Sequence, residues 1–180
     1  MMTAFNQFEF PQKFALQSPL RPLVGKSLFR DGMAAAASTV CVVTTRLGVE
    51  KIGRTVTSVM SLSAEPPALL ISIDVSSRVV DHVLRTEGFS IALLAQGQQP
   101  IADAFAGHTA LERRFDNGQW SAWKSGHPRL NGALAVMDCT LLGSIETPSH
   151  VLFAGGVVDI DLDQQRTPLV WQQRQYRSVT

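Results

Sequence analysis

The chain has 180 residues, of which 45% are hydrophobic and 17% are charged, and its formal net charge is +1. This length fits one domain, and the apolar content is enough for a core, which excludes a disordered chain. Lysine and arginine are scattered rather than gathered into the basic stripe of a nucleic-acid-binding protein, so no nucleic-acid partner is expected.

Neither a signal peptide nor a membrane span is expected. Polar residues interrupt the N-terminus, and no apolar stretch precedes a small-residue cleavage site. The longest apolar run, Met33 to Val43, contains Ser38 and Thr39 and is shorter than the roughly 20 residues that cross a bilayer. We therefore expect a cytoplasmic protein with no membrane partner.

Several kinds of chemistry are missing from the sequence. Cys41 and Cys139 lie in apolar runs and are expected to be small buried residues, and the four histidines lack metal-ligand spacing. There is no glycine-rich dinucleotide fingerprint, no P-loop and no G-x-S-x-G motif. If the protein is an enzyme, a cofactor is expected to carry the reaction and no metal site is expected.

Residues 1–26 show no clean periodicity and predict an N-terminal arm, with residues 27–180 as the domain. A short helix capped by Ser27 is expected over 27–36. Runs rich in valine, isoleucine and threonine then predict short strands. The predicted strands are Thr39–Thr45, Ile52–Val59, Ala68–Ile73, Phe89–Leu94, Ala133–Leu142, His150–Val158 and Leu169–Trp171.

The connections between these strands are short. Arg46–Lys51 suits a hairpin loop, and the turn Thr147–Ser149 joins two later strands equally tightly. Such connections make antiparallel neighbours, because a parallel crossover needs a dozen or more residues. Two helices, near Ser77–Arg85 and Pro100–Ala106, interrupt the strands. The pattern predicts a mainly β fold, an antiparallel barrel with small flanking helices.

Four segments carry chemistry that could be functional, the fourth being Pro168–Trp171 with Tyr176 and Arg177, which could also be a last strand and a frayed tail. Gly53–Pro67 is a hydroxyl-rich strand that could hold a phosphate or the polar edge of a ring, although threonine is also simply a good strand former. Ser72–Arg78 leads into a helix whose N-terminus suits a phosphate, although it could be an ordinary serine cap beside a solvated arginine. His150 begins a strand directly after a turn, where most histidines face solvent.

Taken together and in this order, these segments resemble the flavin reductase-like family with the FMN-binding split-barrel fold. That family includes the small reductase components of two-component flavin-dependent monooxygenases. The resemblance runs from Phe29 to about Arg177. It is carried by Phe29–Met33, Thr39–Thr45, the hydroxyl-rich strand ending in Pro66 and Pro67, Phe105–Gly107, Glu112–Phe115, His150–Phe153, Pro168–Trp171 and Tyr176.

The resemblance implies a split barrel of six or seven antiparallel strands and a flavin lying against the end of the strand Thr55–Ser58. It implies a phosphate near the start of the helix at Ser77, and a nicotinamide near His150 and Tyr176, with His150 as the catalytic residue that positions it. The residues implied to bind cofactor are Arg54, Thr55, Val56, Thr57, Ser58, Ser72, Ile73, Asp74, Ser76, Ser77, Arg78, Phe105, Ala106, Gly107 and Tyr176.

The implied activity is NAD(P)H-dependent reduction of FMN or FAD by hydride transfer, with the reduced flavin supplied to a partner monooxygenase. Two alternatives are a flavin-containing reductase of a corrinoid or metal complex, and a non-catalytic flavin-binding protein. No basic pocket for a 2′-phosphate is identifiable, which favours NADH. A departure from the family is Pro148-Ser149 before His150, where many relatives have Gly-Asp.

A homodimer whose flavin sites are completed by the second chain is also expected. This expectation rests on the resemblance and on the apolar residues of the arm, which a monomer of this size would struggle to cover. Those residues are Phe5, Phe8, Phe10 and Phe14.

Overall fold

The computed structural model of the chain describes residues 12–13 and 16–179. The four arm phenylalanines, Phe5, Phe8, Phe10 and Phe14, lie outside the described residues, so the arm's apolar role and the domain boundary at residue 26 remain predictions. In the part that is described, no helix is long and apolar enough to cross a membrane.

The fold is mainly β, with small helices between the strands. The helices are α1 (Lys26–Ala35), α2 (Arg78–Thr86) and α3 (Gln99–Asp103), the last followed by a π-helical turn (Ala104–His108) and a 3-10 helix (Leu111–Asp116). The strands are β1 (Gln12–Lys13), β2 (Ser38–Thr39), β3 (Cys41–Leu47), β4 (Glu50–Val56), β5 (Val59–Ala64), β6 (Pro67–Asp74), β7 (Gly88–Leu93), β8 (Trp120–Ala122), β9 (Pro128–Leu130), β10 (Ala135–Glu146), β11 (His150–Leu162), β12 (Val170–Gln172) and β13 (Gln175–Arg177).

The main sheet has the strand order β4-β3-β7-β10-β11-β6-β5, and each neighbouring pair in it is antiparallel. The short strand β1 adds in parallel to the end of β10. The two edge strands, β4 and β5, are joined by Thr57 and Ser58 alone, so the edges must lie close together there. This curled sheet confirms the predicted antiparallel split barrel of six or seven strands, and seven are observed.

The barrel interior is one of two apolar cores. Cys41 and Val43 of β3 point into it, while Val42 points to the other face, as the alternation of side chains along a strand requires. Val79 and Val83 of α2 also belong to the interior core, so α2 closes one end of the barrel, called here the capped end. The second core lies under α3 and the loops that follow it.

Some predicted boundaries were wrong. Ser27 does not cap α1, which begins at Lys26 after an extended Gly25 and has no side-chain cap. The predicted strand Ile52–Val59 is two strands, because the chain leaves β4 after Val56 and crosses the split before β5 begins. The predicted helix Pro100–Ala106 changes at Ala104 to a π-helical turn, and this turn contains Gly107 at a φ of 110°.

The connections were predicted more closely. The hairpin between β3 and β4 turns at Gly48 and Val49, with Leu47 paired to Glu50. The turn before His150 joins β10 to β11 with Glu146 paired to Val151. The helix predicted over Ser77–Arg85 is α2, and the hydroxyl of Ser77 caps it by accepting the Val79 N–H.

Candidate functional site

Two neighbouring cavities lie along the outside of β4 and share Arg54 and Ala106. The first, of about 290 Å³, is lined by three arginines, Arg54, Arg78 and Arg114, and by no carboxylate of the described chain. The second, of about 230 Å³, is lined by Thr55, Thr57, Val40, Val56, Trp171 and Tyr176. We call the two cavities together the β4 groove. Its cationic end suits an anion, and its aromatic end suits a flat ring with polar edges.

Arg114 is held against the floor of the arginine-lined cavity. Its Nη1 donates to the carbonyl of Gly53 at 3.3 Å, and its Nε donates to the carbonyl of Thr109 at 3.3 Å. These bonds leave other N–H groups of its five donors for a ligand. A fixed, half-buried arginine loses little freedom when it binds an anion, which favours recognition of a phosphate.

The segment between β6 and α2 is shaped by Asp74. The backbone N–H and the hydroxyl of Ser76 both donate to Asp74 Oδ1, at 2.8 and 2.6 Å. These bonds, helped by the charge of Arg54, lower the pKa of the Asp74 carboxyl below its usual value. The Ser77 hydroxyl accepts from Val79 and keeps its own proton for a ligand. The turn therefore presents side chains, more than free helix amides, to the cavity.

The aromatic cavity is bounded by the C-terminal hairpin of β12 and β13. The rings of Trp171 and Tyr176 meet edge to face, with centroids 5.0 Å apart. Tyr176 donates its hydroxyl to Asp103 Oδ1 at 2.5 Å. Partial burial and this carboxylate raise the pKa of the Tyr176 phenol above its ordinary value. On the opposite wall, Thr55 donates to the carbonyl of Ala102 at 2.6 Å and keeps its lone pairs for a ligand.

Phe105 supports the groove from beneath. Its ring is 1% exposed and packs edge to face on Phe115, with centroids 5.0 Å apart. A side chain at Gly53 would place its Cβ 2.8 Å from the Phe105 ring, so β4 can lie on this ring only with glycine there. The predicted residue Phe105 thus contributes mainly packing, while Ala106 lines both cavities.

Most of the residues predicted to bind cofactor line the β4 groove. Those that line it are Arg54, Thr55, Val56, Thr57, Ser76, Ser77, Arg78, Phe105, Ala106 and Tyr176. Those that do not line either cavity are Ser58, Ser72, Ile73, Asp74 and Gly107, and the predicted catalytic residue His150 does not line them either.

The residues outside the groove have distinct surroundings. The side chain of Ile73 is 1% exposed and belongs to the barrel core, so it has no surface for a ligand. His150 is exposed at the start of β11, opposite Asp74 of β6, and its Nδ1 lies 2.9 Å from the Ser149 hydroxyl. It therefore stands at the rim beside the groove, and its predicted role remains a prediction.

Among the lining residues of the groove that sequence reasoning missed are Arg114 and Trp171. Both lie in segments that carry the family resemblance, but nothing in their local pattern distinguishes Arg114 from its neighbour Arg113. The structure separates the two arginines: Arg113 pairs with Asp116 at 3.3 Å on the surface, whereas Arg114 turns inward to two carbonyls. The sequence carries no signal for this difference, because the Gly53 carbonyl that Arg114 reaches lies 61 residues away along the chain.

A larger cavity, of about 700 Å³, lies at the barrel end away from α2, called here the open end. Cys41, Leu69 and Met137 line it from inside the barrel, and Thr57 lines both this cavity and the β4 groove. Its walls carry no charged side chain from residues 16–179. It therefore suits apolar contacts and does not offer the charges that a phosphate requires. Across residues 16–179, no cluster of histidine, cysteine, aspartate and glutamate could hold a metal ion.

Comparison with known proteins decides the family. The model of the family described as flavin reductase like domain matches residues 33–180. This chain belongs to the flavin reductase-like family. It is 33% identical over 156 residues to the FMN reductase (NADH) RutF of Pseudomonas syringae pv. syringae, covering 87% of this chain and 88% of that one.

Two further relatives show the range of the family. The reductase component of 4-hydroxyphenylacetate 3-monooxygenase from Thermus thermophilus is 33% identical over 154 residues, covering 86% of this chain and 97% of that one. The NADH:FAD oxidoreductase SgcE6 of Streptomyces globisporus C-1027, solved in complex with NAD and FAD fragments, is 26% identical. Its TM-score is 0.81, and the match covers 89% of this chain and 98% of that chain.

These findings confirm three predictions made from the sequence. The resemblance to the flavin reductase-like family and the split-barrel fold are both correct. The relatives also bear out the identification of an NAD(P)H:flavin oxidoreductase that uses flavin and NADH. The roles of individual residues in the β4 groove stay predictions.

Proposed function

We propose that this protein binds FMN or FAD in the β4 groove, reduces it with NADH or NADPH, and releases the reduced flavin to a separate monooxygenase. The observation that carries the proposal is the union of an arginine-lined cavity with an aromatic, hydroxyl-lined one through Arg54 and Ala106. A flavin nucleotide has the same two parts, an anionic phosphate and a flat ring with polar edges. A relative named as a monooxygenase reductase component supports the release of reduced flavin.

The residues of the groove fit such a ligand. Arg54, Arg78 and Arg114 would hold the phosphate by charge-assisted hydrogen bonds. Thr55 and Thr57 would face the polar edge of the ring. When bound, the flavin supplies the redox chemistry by accepting a hydride from the reduced nicotinamide. The chain's own residues orient the two ligands and shield one side of the ring from water.

We assign the nicotinamide side of the site to His150 and Tyr176. His150 is exposed at the rim, and its ring can turn toward a ligand stacked over the groove. Hydride transfer needs no proton from the protein at that moment, so the role of His150 is positioning and electrostatic. We expect His150→Ala to raise the KM for NADH several-fold with an unchanged Kd for FMN. A loss of FMN affinity with an unchanged KM for NADH would reverse the placement of the two ligands.

The test of the phosphate site compares FMN with riboflavin, which lacks the phosphate. We expect the protein to bind FMN more tightly, and Arg78→Ala to weaken FMN by about 1–3 kcal/mol without changing riboflavin. Fluorescence titration measures both Kd values. Equal affinity of the unaltered protein for FMN and riboflavin would contradict a phosphate site in this groove.

The test of catalysis is NADH oxidation in air with added FMN, followed at the NADH absorbance band. A reductase that releases its flavin oxidises NADH at a rate that rises with added FMN and then saturates, because oxygen reoxidises the released flavin and returns it to the cycle. A non-catalytic flavin-binding protein leaves NADH unchanged. A reductase serving a corrinoid or metal complex would retain its flavin and need that acceptor for turnover, so turnover that does not depend on added flavin would favour this alternative.

We also propose that the protein acts in the cytoplasm as a homodimer that covers the open end. Exposed apolar side chains surround that end, among them Leu62, 49% exposed, and Val158, 67% exposed. Met60 and Ile160, which are also exposed, line the apolar cavity itself. Apolar patches of this kind mark interfaces. Because Thr57 belongs to both this cavity and the β4 groove, a second chain seated here would border the flavin site.

A further inference from the structure

Arg78 begins α2 with its side chain 58% exposed, a poor starting point for a phosphate-binding residue. A long side chain in solvent samples many rotamers and loses that freedom when it binds. A cation in the first turn is also slightly disfavoured by the helix dipole. The guanidinium of Arg78 would lose less conformational entropy on binding a phosphate if a neighbouring side chain already held it at the cavity.

Glu50 holds it from the neighbouring strand. Glu50 is the first residue of β4, and its Oε1 accepts from Arg78 Nη2 at 2.6 Å. This bond, more than any other contact, lowers the pKa of the Glu50 carboxyl below its usual value. It occupies one of the five N–H donors of the guanidinium, and Arg78 lines the arginine cavity while Glu50 does not. The Glu50 carboxylate therefore binds the guanidinium of Arg78 from outside the arginine-lined cavity.

His82 fixes the other oxygen of the same carboxylate. Its Nε2 lies 3.2 Å from Glu50 Oε2, and its Nδ1 lies 3.1 Å from the carbonyl of Arg78, one turn earlier in α2. The side chain of His82 is 6% exposed, so it is far less mobile than either partner. Both of its partners accept hydrogen bonds, so the ring binds both when each nitrogen carries a proton. The cluster links β4 to α2 through one carboxylate.

We propose that Glu50 and His82 are positioning residues for Arg78, holding its guanidinium at the arginine-lined cavity where the phosphate of the flavin binds. This inference rests on the proposed function. Neither residue touches the ligand in this arrangement, and both act through Arg78. A negative charge behind Arg78 also repels a phosphate, and Glu50, at 45% exposure, is screened enough by water for the positioning effect to dominate.

Two substitutions separate the shape of Glu50 from its charge. Glu50→Gln keeps the length and an acceptor for Arg78, and its amide can donate to a neutral His82 ring. Glu50→Asp keeps the charge but is one methylene too short to reach both partners. We expect Glu50→Gln to bind FMN within about two-fold of the unaltered protein, and Glu50→Asp and Glu50→Ala to bind it about five- to ten-fold more weakly.

Riboflavin and a double mutant show whether the effect passes through Arg78. Riboflavin should bind all the Glu50 variants equally, and the KM for FMN should rise without a change in kcat at saturation. In an Arg78→Ala background, Glu50→Ala should weaken FMN no further. The matched controls are Asp163→Asn and Arg166→Ala, which break a surface acid–arginine pair 3.2 Å apart and away from the groove.

Each other outcome overturns the inference. Glu50→Ala with unchanged or tighter FMN binding would show that Glu50 does not position Arg78. Equal weakening of riboflavin would show a structural role. Weak FMN binding by Glu50→Gln together with normal FMN binding by Glu50→Asp would show that the charge of Glu50, not its positioning of Arg78, controls FMN affinity. If Arg78→Ala itself leaves the ratio of FMN to riboflavin affinity unchanged, the phosphate site fails, and the inference fails with it.

Discussion

The two ends of the barrel are built from the same strands and differ in what fills them. At the capped end, α2 places Val79 and Val83 into the interior, and Phe89 at the start of β7 is fully buried. At the open end, the same interior is left as an apolar cavity of about 700 Å³ beneath exposed side chains of β5 and β11. The chain thus supplies its own cover at one end and leaves the other for contacts from outside it.

The difference explains where the β4 groove lies. β4 runs from Glu50, beside α2, to Val56, beside the split, so the groove spans both ends. Its arginine-lined part is anchored on the packed capped end, where rigid neighbours can hold charged groups in place. Its aromatic part reaches the open end at Thr57, where a second ligand or a second chain has access.

The largest expected effect tests whether the capped end carries the stability. Phe89→Ala removes a ring that is 0% exposed and that packs against Gly155, whose added Cβ would lie 2.5 Å from it. We expect the free energy of unfolding to fall by about 3–5 kcal/mol, measured by urea denaturation. The control, Met60→Ala at the open end, should change it by less than about 0.5 kcal/mol in the monomer. Similar losses for both would remove the contrast between the ends.

The second prediction concerns association at the open end. Leu62→Glu places a carboxylate in the apolar face, and we expect it to weaken the dimer by at least about 2 kcal/mol, or roughly thirty-fold. Light scattering after size exclusion should show the mass moving toward the 19.6 kDa of one chain. The matched control is Val49→Glu. Val49 lies in the β3–β4 hairpin turn and is 93% exposed, so this substitution should leave the mass unchanged. A monomeric unaltered protein at micromolar concentration would refute the proposed dimer.

The third prediction is a pH dependence that originates near the capped end. His127 is buried beside Gly88, and desolvation lowers its pKa, an effect only partly opposed by the charge of Asp138. The unfolded chain then binds a proton that the folded chain does not. The contribution of His127 to the free energy of unfolding is therefore fully present above about pH 6.5. It falls as the pH drops below that value, with a slope of up to about 1.4 kcal/mol per pH unit.

Replacing the ring isolates this contribution. In His127→Gln, the slope of unfolding free energy between about pH 6.5 and 5 should become flatter, because the proton uptake is lost. The lowered pKa values of Asp74 and Glu50 act in a separate window, where stability falls as pH drops through and below their usual range. Gln164→Asn, which alters an exposed amide that does not titrate, is the control and should keep the slope of the unaltered protein.

The sequence predicted the parts of the fold that depend on local chemistry. The β3–β4 hairpin follows from its glycine turn, and α2 follows from the Ser77 cap and the valines that face the core. The split between β4 and β5 was not predicted, because Thr57 is a good strand former and neither glycine nor proline marks a break at Thr57 or Ser58. The break becomes visible only from the strand pairing, because β4 pairs with β3 whereas β5 pairs with β6.

The same distinction holds for the β4 groove. Residues adjacent in sequence, such as Ser76 to Arg78, were grouped correctly because a strand end and a helix start lie together. Arg114 and Glu50 were not recognised, because their partners lie 61 and 28 residues away, at Gly53 and Arg78. Single-sequence patterns carry little information about such long-range contacts, and the C-terminal hairpin that brings Tyr176 to Asp103 is another of them.

The smallest expected effect concerns that hairpin, and it can be read directly because Tyr176 is the single tyrosine of the chain. Its absorbance change on ionisation, followed near 295 nm, therefore reports on one residue. We expect its titration midpoint to lie above the ordinary value of about 10, because partial burial and the Asp103 carboxylate both disfavour the phenolate. Unfolding in urea should return the midpoint to about 10.

Substitution of Asp103 separates the two causes. Asp103→Asn removes the charge and should lower the midpoint part of the way toward 10, leaving the share that comes from burial. Asp116→Asn, which breaks a surface pair with Arg113, is the control and should not move it. Added FMN should raise the midpoint further, because a ligand beside Tyr176 removes more water from the phenol. A midpoint that responds to Asp103→Asn but not to saturating FMN would place the ring outside the aromatic end of the β4 groove.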